Sequence, residues 1–101
     1  MDYERFAKIL KVMSDKSRLE IIDMLSCGEL CACDILEHFD FSQPTLSHHM
    51  KQLKDCGLIS SYKDGTKVMY VLNDVLCKEI MAFQSELFNA SERCICHSSK
   101  Y

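Results

Sequence analysis

Several hallmarks of membrane-bound and multidomain proteins are missing from this chain of 101 residues. The longest unbroken apolar run covers five residues, 68–72, which excludes a membrane-spanning helix, and the start, Met1-Asp2-Tyr3-Glu4, is no secretory signal. We therefore expect a cytoplasmic protein. With one proline and three glycines, the chain shows no proline-rich linker, repeat or low-complexity tract. We expect one domain over residues 1–97, followed by a short tail at 98–101.

The chain also lacks a strong excess of charge of one sign, with 12 basic residues, 15 acidic residues and a formal net charge of -3. This balance argues against tight non-specific binding to nucleic acid. The charges are unevenly placed, however. Residues 1–41 carry five Lys/Arg and nine Asp/Glu, residues 42–67 carry four and two, and the remainder carries three and four. The middle of the chain is its basic part, and cations on one face still allow an acidic protein to bind DNA.

Apolar periodicity and turn residues predict the order helix, helix, helix, helix, hairpin, helix. The predicted helices cover residues 3–13, 14–28, 29–39 and 42–57, the strands 58–63 and 67–72, and a last helix is capped by Asn73 or Asp74. This order is that of a mainly α (α+β) winged helix-turn-helix, with about five helices and a two-stranded hairpin wing. The last helix carries apolar residues on one face and needs a partner, and a chain this short has a small core. We therefore expect a homodimer through the terminal helices; the apolar face consists of Leu76, Ile80, Phe83 and Leu87.

The fourth predicted helix has two faces of different character. Leu46, Met50 and Leu53 define a buried stripe, whereas the opposite stripe is polar. Because a recognition helix places its first residues at base edges in the major groove, the polar stripe predicts DNA contact. A merely solvated helix face is the alternative. The candidate DNA-binding residues are Ser42, Gln43, Thr45, Ser47, His48 and Lys51, with Lys63 and Lys67 of the wing contacting the DNA backbone or a minor groove.

Seven cysteines are unusual in a chain without a secretory signal. A reducing cytosol and an odd count disfavour a disulfide framework, so metal binding or redox chemistry is the better class. Two Cys-x-Cys pairs stand out: Cys31 with Cys33 at the beginning of the third helix, and Cys94 with Cys96 after the last helix. Thiolates select thiophilic ions, of which arsenite suits three sulfurs and tetrahedral Zn or Cd suits four.

The predicted helical setting of Cys31 and Cys33 has a mechanical consequence. Residues two apart diverge by roughly 200° around a helix, so one ion bound by both sulfurs must distort that turn. The distortion would change the helix that supports the fourth one. The alternative is that both cysteines are small buried hydrophobic residues, and that Cys94 and Cys96 belong to a frayed tail.

The other cysteines and the histidines carry weaker signals. Cys56 and Cys77 are interpreted as packing residues, and Cys27 either as structural or as a neighbour of Cys31. The chain has no Cys-x-x-Cys, phosphate-cradling loop or interpretable pair of nucleophile and base, so we expect no enzyme. His97 stays undecided, and three histidines are expected on the surface or facing DNA: His38, His48 and His49.

Four segments of this chain resemble the ArsR/SmtB family of winged-helix, metal-sensing repressors, most closely those of arsenical-resistance operons. They are Ser17-Arg18-Leu19, Glu29-Leu30-Cys31-Ala32-Cys33-Asp34, Ser42-Gln43-Pro44-Thr45-Leu46-Ser47-His48-His49-Met50 and the wing Lys63-Asp64-Gly65. The similarity covers residues 3–97. It implies a homodimer that binds operator DNA when metal-free and releases it on binding an inducer. It also implies that Cys31 and Cys33 are the inducer thiolates, and that the recognition helix includes Gln43, Thr45, Ser47 and His48.

Two positions depart from patterns within that family. Some arsenic-responsive members have a third cysteine three residues beyond the second, where this chain has Leu36. Cys94 or Cys96, from either protomer, is then the first candidate for a third sulfur, with Cys27 behind it. Zinc-sensing members place an Asp-x-His pair on the last helix, whereas this chain has Asp-Val-Leu at 74–76, so that zinc site is absent.

We expect a repressor that leaves DNA when As(III) or Sb(III) binds its cysteine thiolates. A Cd-, Pb- or Zn-responsive repressor with a four-cysteine site is one alternative, and a thiol redox-responsive repressor of the same fold is another. The four cysteines of the first alternative are Cys31, Cys33, Cys94 and Cys96. A two-fold dimer predicts an inverted-repeat operator of double-stranded DNA, with half-sites about one helical turn apart.

Overall fold

The structure, a computed structural model, describes residues 1–89, which form five helices and a three-stranded antiparallel sheet. The elements are α1 (Tyr3–Met13), α2 (Lys16–Ser26), β1 (Leu30–Cys31), α3 (Ala32–Glu37), α4 (Gln43–Asp55), β2 (Ile59–Asp64), β3 (Lys67–Leu72) and α5 (Asp74–Phe88). The predicted winged helix-turn-helix is confirmed, with α3 and α4 as the helix-turn-helix and the hairpin of β2 and β3 as the wing. Cys94, Cys96, His97 and the predicted tail lie outside the described residues.

Short polar side chains begin three of the helices by accepting a hydrogen bond from the backbone N–H three residues later. Asp2 Oδ1, Asp15 Oδ1 and Asn73 Oδ1 accept these bonds at 2.8, 3.1 and 3.1 Å. Each such cap contributes about 1 kcal/mol to stability. Ser42 occupies the N-cap position of α4, as predicted, but its hydroxyl makes no capping hydrogen bond.

The segment between α2 and α3 differs from the predicted helix over residues 29–39. Leu30 and Cys31 are extended and pair antiparallel with β3, where Cys31 lies opposite Met69, so the strand order is β1-β3-β2. Helix α3 is correspondingly short and covers only Ala32–Glu37. A two-residue strand is stabilised by its distant partner strand rather than by its own sequence, so apolar periodicity did not predict it.

The wing forms around the predicted Asp-Gly turn. Asp64 lies opposite Lys67, and Gly65 has a φ of 64°, a left-handed conformation that glycine adopts without a steric penalty. The pairing continues to Ile59 opposite Leu72 and joins the wing to the core. The wing is thus a two-stranded extension of the sheet.

The core is apolar and includes residues from all five helices and from the sheet. The predicted stripe of α4, namely Leu46, Met50 and Leu53, is buried as expected. Helix α5 packs on α1, with the ring centroids of Phe6 and Phe83 4.9 Å apart. These contacts fix α4 against the rest of the fold, so that its opposite face remains available.

Helix α5 buries only part of its predicted apolar face. Leu76, Ile80 and Phe83 are buried, but Leu87 is 44% exposed and the neighbouring Phe88 is 79% exposed. Together they leave an apolar surface open at the end of α5. The predicted homodimer would use it. Within residues 1–89, no helix combines the length and the apolar character needed to cross a membrane.

Candidate nucleic-acid interface and thiol site

The polar face of α4 and the tip of the wing are open to solvent. Burial of the Leu46 side of α4 turns the predicted contact side outward. The outward side and the wing together hold every candidate DNA-binding residue, and all of them are exposed: Ser42, Gln43, Thr45, Ser47, His48, Lys51, Lys63 and Lys67.

The first turn of α4 is locally ordered by its own side chains. Pro44 lies in this turn, where its missing N–H leaves no bond unmade. Ser42 Oγ and Thr45 Oγ1 are 3.2 Å apart and form a hydrogen bond. Gln43 lies between them, at the end of the helix that enters the major groove in winged helix-turn-helix proteins.

Two lysines of α4 donate hydrogen bonds to side-chain oxygens. Lys51 Nζ donates to Asp55 Oδ2 at 2.8 Å, and this hydrogen bond raises the pKa of Lys51 above its usual value. Lys54 Nζ donates to Ser61 Oγ at 2.8 Å and connects α4 to β2. The contact between Lys54 and Ser61 therefore links α4 to the wing.

One histidine of α4 does not lie where the sequence analysis placed it. His49, expected on the surface or facing DNA, is partly buried, and its Nδ1 accepts a hydrogen bond from Arg18 Nε at 3.0 Å. The apolar periodicity could have predicted this partial burial, because His49 is three residues after Leu46 and four before Leu53 in the buried stripe. Burial lowers the pKa of His49, and so does the nearby charge of Arg18.

The extended conformation of Cys31 brings the first thiol pair together. Cys31 is the N-cap residue of α3 and is 3% exposed, whereas Cys33 lies in the first turn and is exposed. Their sulfurs form a disulfide, with the Cα atoms 5.3 Å apart. The prediction of sulfurs that diverge by roughly 200° on a helix is therefore wrong, because only Cys33 is helical. The pair can hold one group without unwinding a helix turn.

A carboxylate that the sequence analysis missed lies beside these sulfurs. The ligand atoms of Cys31, Cys33 and Asp34 all lie within 4.8 Å of one another. The Asp34 backbone N–H also donates to Cys31 Sγ at 3.3 Å. Within residues 1–89, no other cluster of three or more Cys, His, Asp or Glu side chains has metal-binding spacing. The sequence could have predicted this neighbour, since Asp34 directly follows the second cysteine of the Cys-x-Cys pair.

The remaining cysteines within residues 1–89 are free and lie outside this cluster. Cys27 is exposed at the C-cap of α2. Cys56 and Cys77 are partly buried against the core, which confirms their interpretation as packing residues. Burial raises the pKa of the Cys77 thiol, as expected for an unreactive packing residue.

An open cavity of about 300 Å³ is lined by both members of the thiol pair and by residues of α4 and of the wing. Its lining includes Cys31 and Cys33, together with Gln43 of α4 and Lys67 of the wing. Leu36, at the position of the third cysteine of some arsenic-responsive ArsR/SmtB members, also lines the cavity. A group bound to the sulfurs would therefore share this space with the first residues of α4 and of β3.

The helix-turn-helix, its exposed polar second helix and the adjoining wing define a winged helix-turn-helix DNA-binding regulator. Residues 15–61 match the family described as bacterial regulatory protein, arsR family. The chain is 53% identical over 100 residues to the arsenical resistance operon repressor of Staphylococcus aureus, covering 99% of this chain and 96% of that protein. The chain therefore belongs to the arsR family of bacterial regulatory proteins.

Two further comparisons concern the ligand and the fold. The cadmium resistance transcriptional regulatory protein CadC homolog of Staphylococcus aureus is 40% identical over 76 residues, which are 74% of this chain and 63% of that protein. The solution structure of a homodimeric winged helix-turn-helix DNA-binding domain from Mycobacterium bovis, a possible ArsR-family regulator, matches with a TM-score of 0.69 at 24% identity. It covers 81% of this chain and 77% of the other. The comparison confirms the fold.

Proposed function

We propose that this chain is a homodimeric repressor of a metalloid-resistance operon, released from its operator when As(III) or Sb(III) binds Cys31 and Cys33. The observation that carries this proposal is the position of the thiol pair, which borders one cavity together with Gln43 and Lys67. The near full-length similarity to an arsenical resistance operon repressor supports the same inducer class. Such a regulator acts on DNA in the cytoplasm.

The thiol pair spans a junction between two elements. Cys31 belongs to β1 and pairs with Met69 of the wing, whereas Cys33 belongs to α3, the helix before α4. A ligand that fixes the spacing between the two thiols constrains β1 relative to α3, and hence the wing relative to α4. A coupling free energy of about 1 to 3 kcal/mol would weaken operator binding about 5- to 150-fold.

The binding chemistry requires thiols rather than the disulfide. A dithiol reductant first supplies two electrons and two protons to the Cys31–Cys33 disulfide and is itself oxidised. Each thiol then replaces one hydroxyl of As(OH)₃, so that one As–S bond forms and one water leaves. The Asp34 N–H, 3.3 Å from Cys31 Sγ, stabilises negative charge on that sulfur during the exchange.

A third donor completes the preferred coordination of As(III). We assign this role to Cys94 or Cys96 of either protomer, with Cys27 behind them. Cys94 and Cys96 lie outside the described residues, and Cys27 does not belong to the cluster around Cys31. The nearest further donor is the Asp34 carboxylate, but As(III) is thiophilic and oxygen ligands suit harder ions.

The proposed operator complex uses the exposed faces of α4 and the wing. Gln43 can pair bidentately with adenine and Thr45 can contact a thymine methyl, whereas Lys63 and Lys67 contact phosphates. The exposed apolar side chains at the chain's terminal helices form the dimer interface: Tyr3, Met81, Leu87 and Phe88. The two-fold axis places two copies of α4 about one DNA turn apart on an inverted repeat.

The test is a fluorescence anisotropy titration of labelled promoter DNA with reduced protein, followed by arsenite, antimonite, cadmium and zinc in parallel. Arsenite and antimonite are expected to release the wild-type protein. The Cys77→Ser variant is the matched control, because Cys77 packs against the core and lies outside the thiol cluster, and it should respond normally. Loss of response in Cys94→Ser or Cys96→Ser identifies the third ligand. Operator binding that no metalloid changes would refute the inducer assignment.

Two alternatives keep the same fold. The similarity to a cadmium resistance regulator favours a four-thiolate site for Cd, Pb or Zn, formed by both Cys-x-Cys pairs. X-ray absorption spectroscopy of the bound ion counts its sulfur ligands: four are expected in the four-thiolate metal site and three in the arsenic site. The disulfide between Cys31 and Cys33 favours a redox-responsive repressor. Release by the thiol oxidant diamide, without any effect of arsenite, would establish that second alternative.

A further inference from the structure

The Arg18 side chain connects three helices. Its Nε donates to His49 Nδ1 at 3.0 Å, and its Nη1 donates to the carbonyl oxygen of Val12 at 3.3 Å. Val12 belongs to the last turn of α1, Arg18 to the first turn of α2, and His49 to the middle of α4. One guanidinium therefore holds the helix that carries the DNA-facing residues against the junction of the first two helices.

We propose that Arg18 is a positioning residue for operator binding: through a neutral His49 it fixes the orientation of α4, and a proton on His49 Nδ1 breaks this contact and weakens binding. The inference rests on the proposed operator binding, but not on the thiol site. No contact of Arg18 or His49 with DNA is required, because both act through the placement of α4.

The hydrogen bond defines the protonation state that the contact needs. Because His49 Nδ1 accepts from a guanidinium that is always charged, it carries no proton, and the proton of the neutral ring lies on Nε2. Protonation of Nδ1 turns the acceptor into a donor that faces another donor. It also places a second cation beside Arg18. Both effects disfavour the observed position of α4.

The surroundings of His49 favour the neutral ring. Burial, the charge of Arg18 and the neighbouring His48 all lower the pKa of His49 below its usual 6.5, while the carboxylate of Asp15 raises it. The ring also packs against Phe41, with centroids 5.5 Å apart. Because the pKa is lower in the folded protein, the contact is intact above about pH 6.5 and is lost as the pH falls through the lowered value.

The predicted pH effect has the opposite sign to the general electrostatic trend. Acidification adds positive charge to a protein as a whole, and added cations tighten DNA binding. The contact between Arg18 and His49 predicts weaker binding over the same range. The direction of the change therefore separates the two effects.

The experiment measures operator affinity of the reduced, metalloid-free protein by anisotropy from about pH 8 to about pH 5.5. In His49→Asn, the amide oxygen takes the place of Nδ1 and accepts the bond from Arg18 without titrating. Arg18→Lys lacks the guanidinium fork. His38→Gln is the matched control, because His38 is an exposed histidine paired with Glu20 on another surface. Urea unfolding at each pH shows that every variant is folded.

Wild-type affinity should fall about two- to tenfold on acidification, the size expected for one lost hydrogen bond. His49→Asn should retain wild-type affinity at high pH within about threefold and lose the weakening at low pH. Arg18→Lys should bind weakly throughout, and His38→Gln should follow the wild type. NMR of the imidazole nitrogens should show His49 with an unprotonated Nδ1 and a pKa below 6.5.

If the wild-type protein binds the operator at high pH and its affinity rises on acidification, as in His49→Asn, the role of Arg18 and His49 is refuted. The proposed repressor function is not affected by that result. The same holds if NMR finds a protonated Nδ1 in the neutral ring. Protein that binds no promoter fragment even at high pH instead refutes the proposed repressor function. The two failures are thus distinguishable.

Discussion

Cys31 lies directly opposite Met69 in the antiparallel pairing of β1 with β3. One member of the thiol pair is therefore part of the sheet that carries the wing, while the other, Cys33, belongs to the helix before α4. In the proposed function, a change at the sulfurs would act on both the wing and α4 through these two elements. This arrangement allows coupling without the helix unwinding that the sequence had suggested.

Arsenite should change amide hydrogen exchange at Met69 and Tyr70 of the reduced protein, because both residues pair with β1. We expect a change of about fivefold or more at these amides, the lower end of allosteric coupling. The buried Ile9 of α1 serves as the internal reference and should be unaffected. Exchange measured by NMR that changes only outside the wing would contradict this route.

The wing lysines should contribute to operator binding through phosphates rather than bases. The slope of log affinity against log salt concentration is negative, and Lys63→Gln and Lys67→Gln should each make it less steep by about one, with little change in sequence preference. Lys78→Gln is the control, since Lys78 is an exposed cation on α5, away from the wing. An unchanged slope in the wing variants would show that the wing does not contact the DNA backbone.

Leu53 should be a strong determinant of stability, because its side chain is fully buried beneath the exposed polar face of α4. Leu53→Ala is expected to lower the free energy of unfolding by about 2 to 5 kcal/mol. Leu19→Ala, at a leucine that is 48% exposed, should cost less than about 1 kcal/mol. Urea denaturation of the reduced proteins measures the free energy of unfolding of both variants. Similar losses in the two variants would contradict the described core.

Local signals in the sequence predicted much of the fold. The helices that begin at Asp15 and Asn73 follow from their caps, and the wing follows from the Asp-Gly turn. The buried side of α4 follows from the spacing of its apolar residues, which in turn predicted the exposed polar face. In each case the deciding residues are neighbours in the chain.

The incorrect predictions concern contacts between distant segments. Residues Leu30 and Cys31 become a strand only because β3 pairs with them, and no local pattern encodes that pairing. His49 is polar, so it was assigned to the surface although its position fits the buried stripe, and its partner Arg18 is 31 residues away. The proximity of the two sulfurs depends on the same unpredicted strand.

The most direct test of the account is an arsenite titration of operator complexes formed by the wild type and by the double variant Cys31→Ser, Cys33→Ser. Both reduced proteins should bind the operator, because neither cysteine is on the exposed face of α4. Arsenite should weaken wild-type binding about 5- to 150-fold and leave the double variant bound. Release of the double variant at the same arsenite concentration would contradict the assignment of these two thiols as the inducer site.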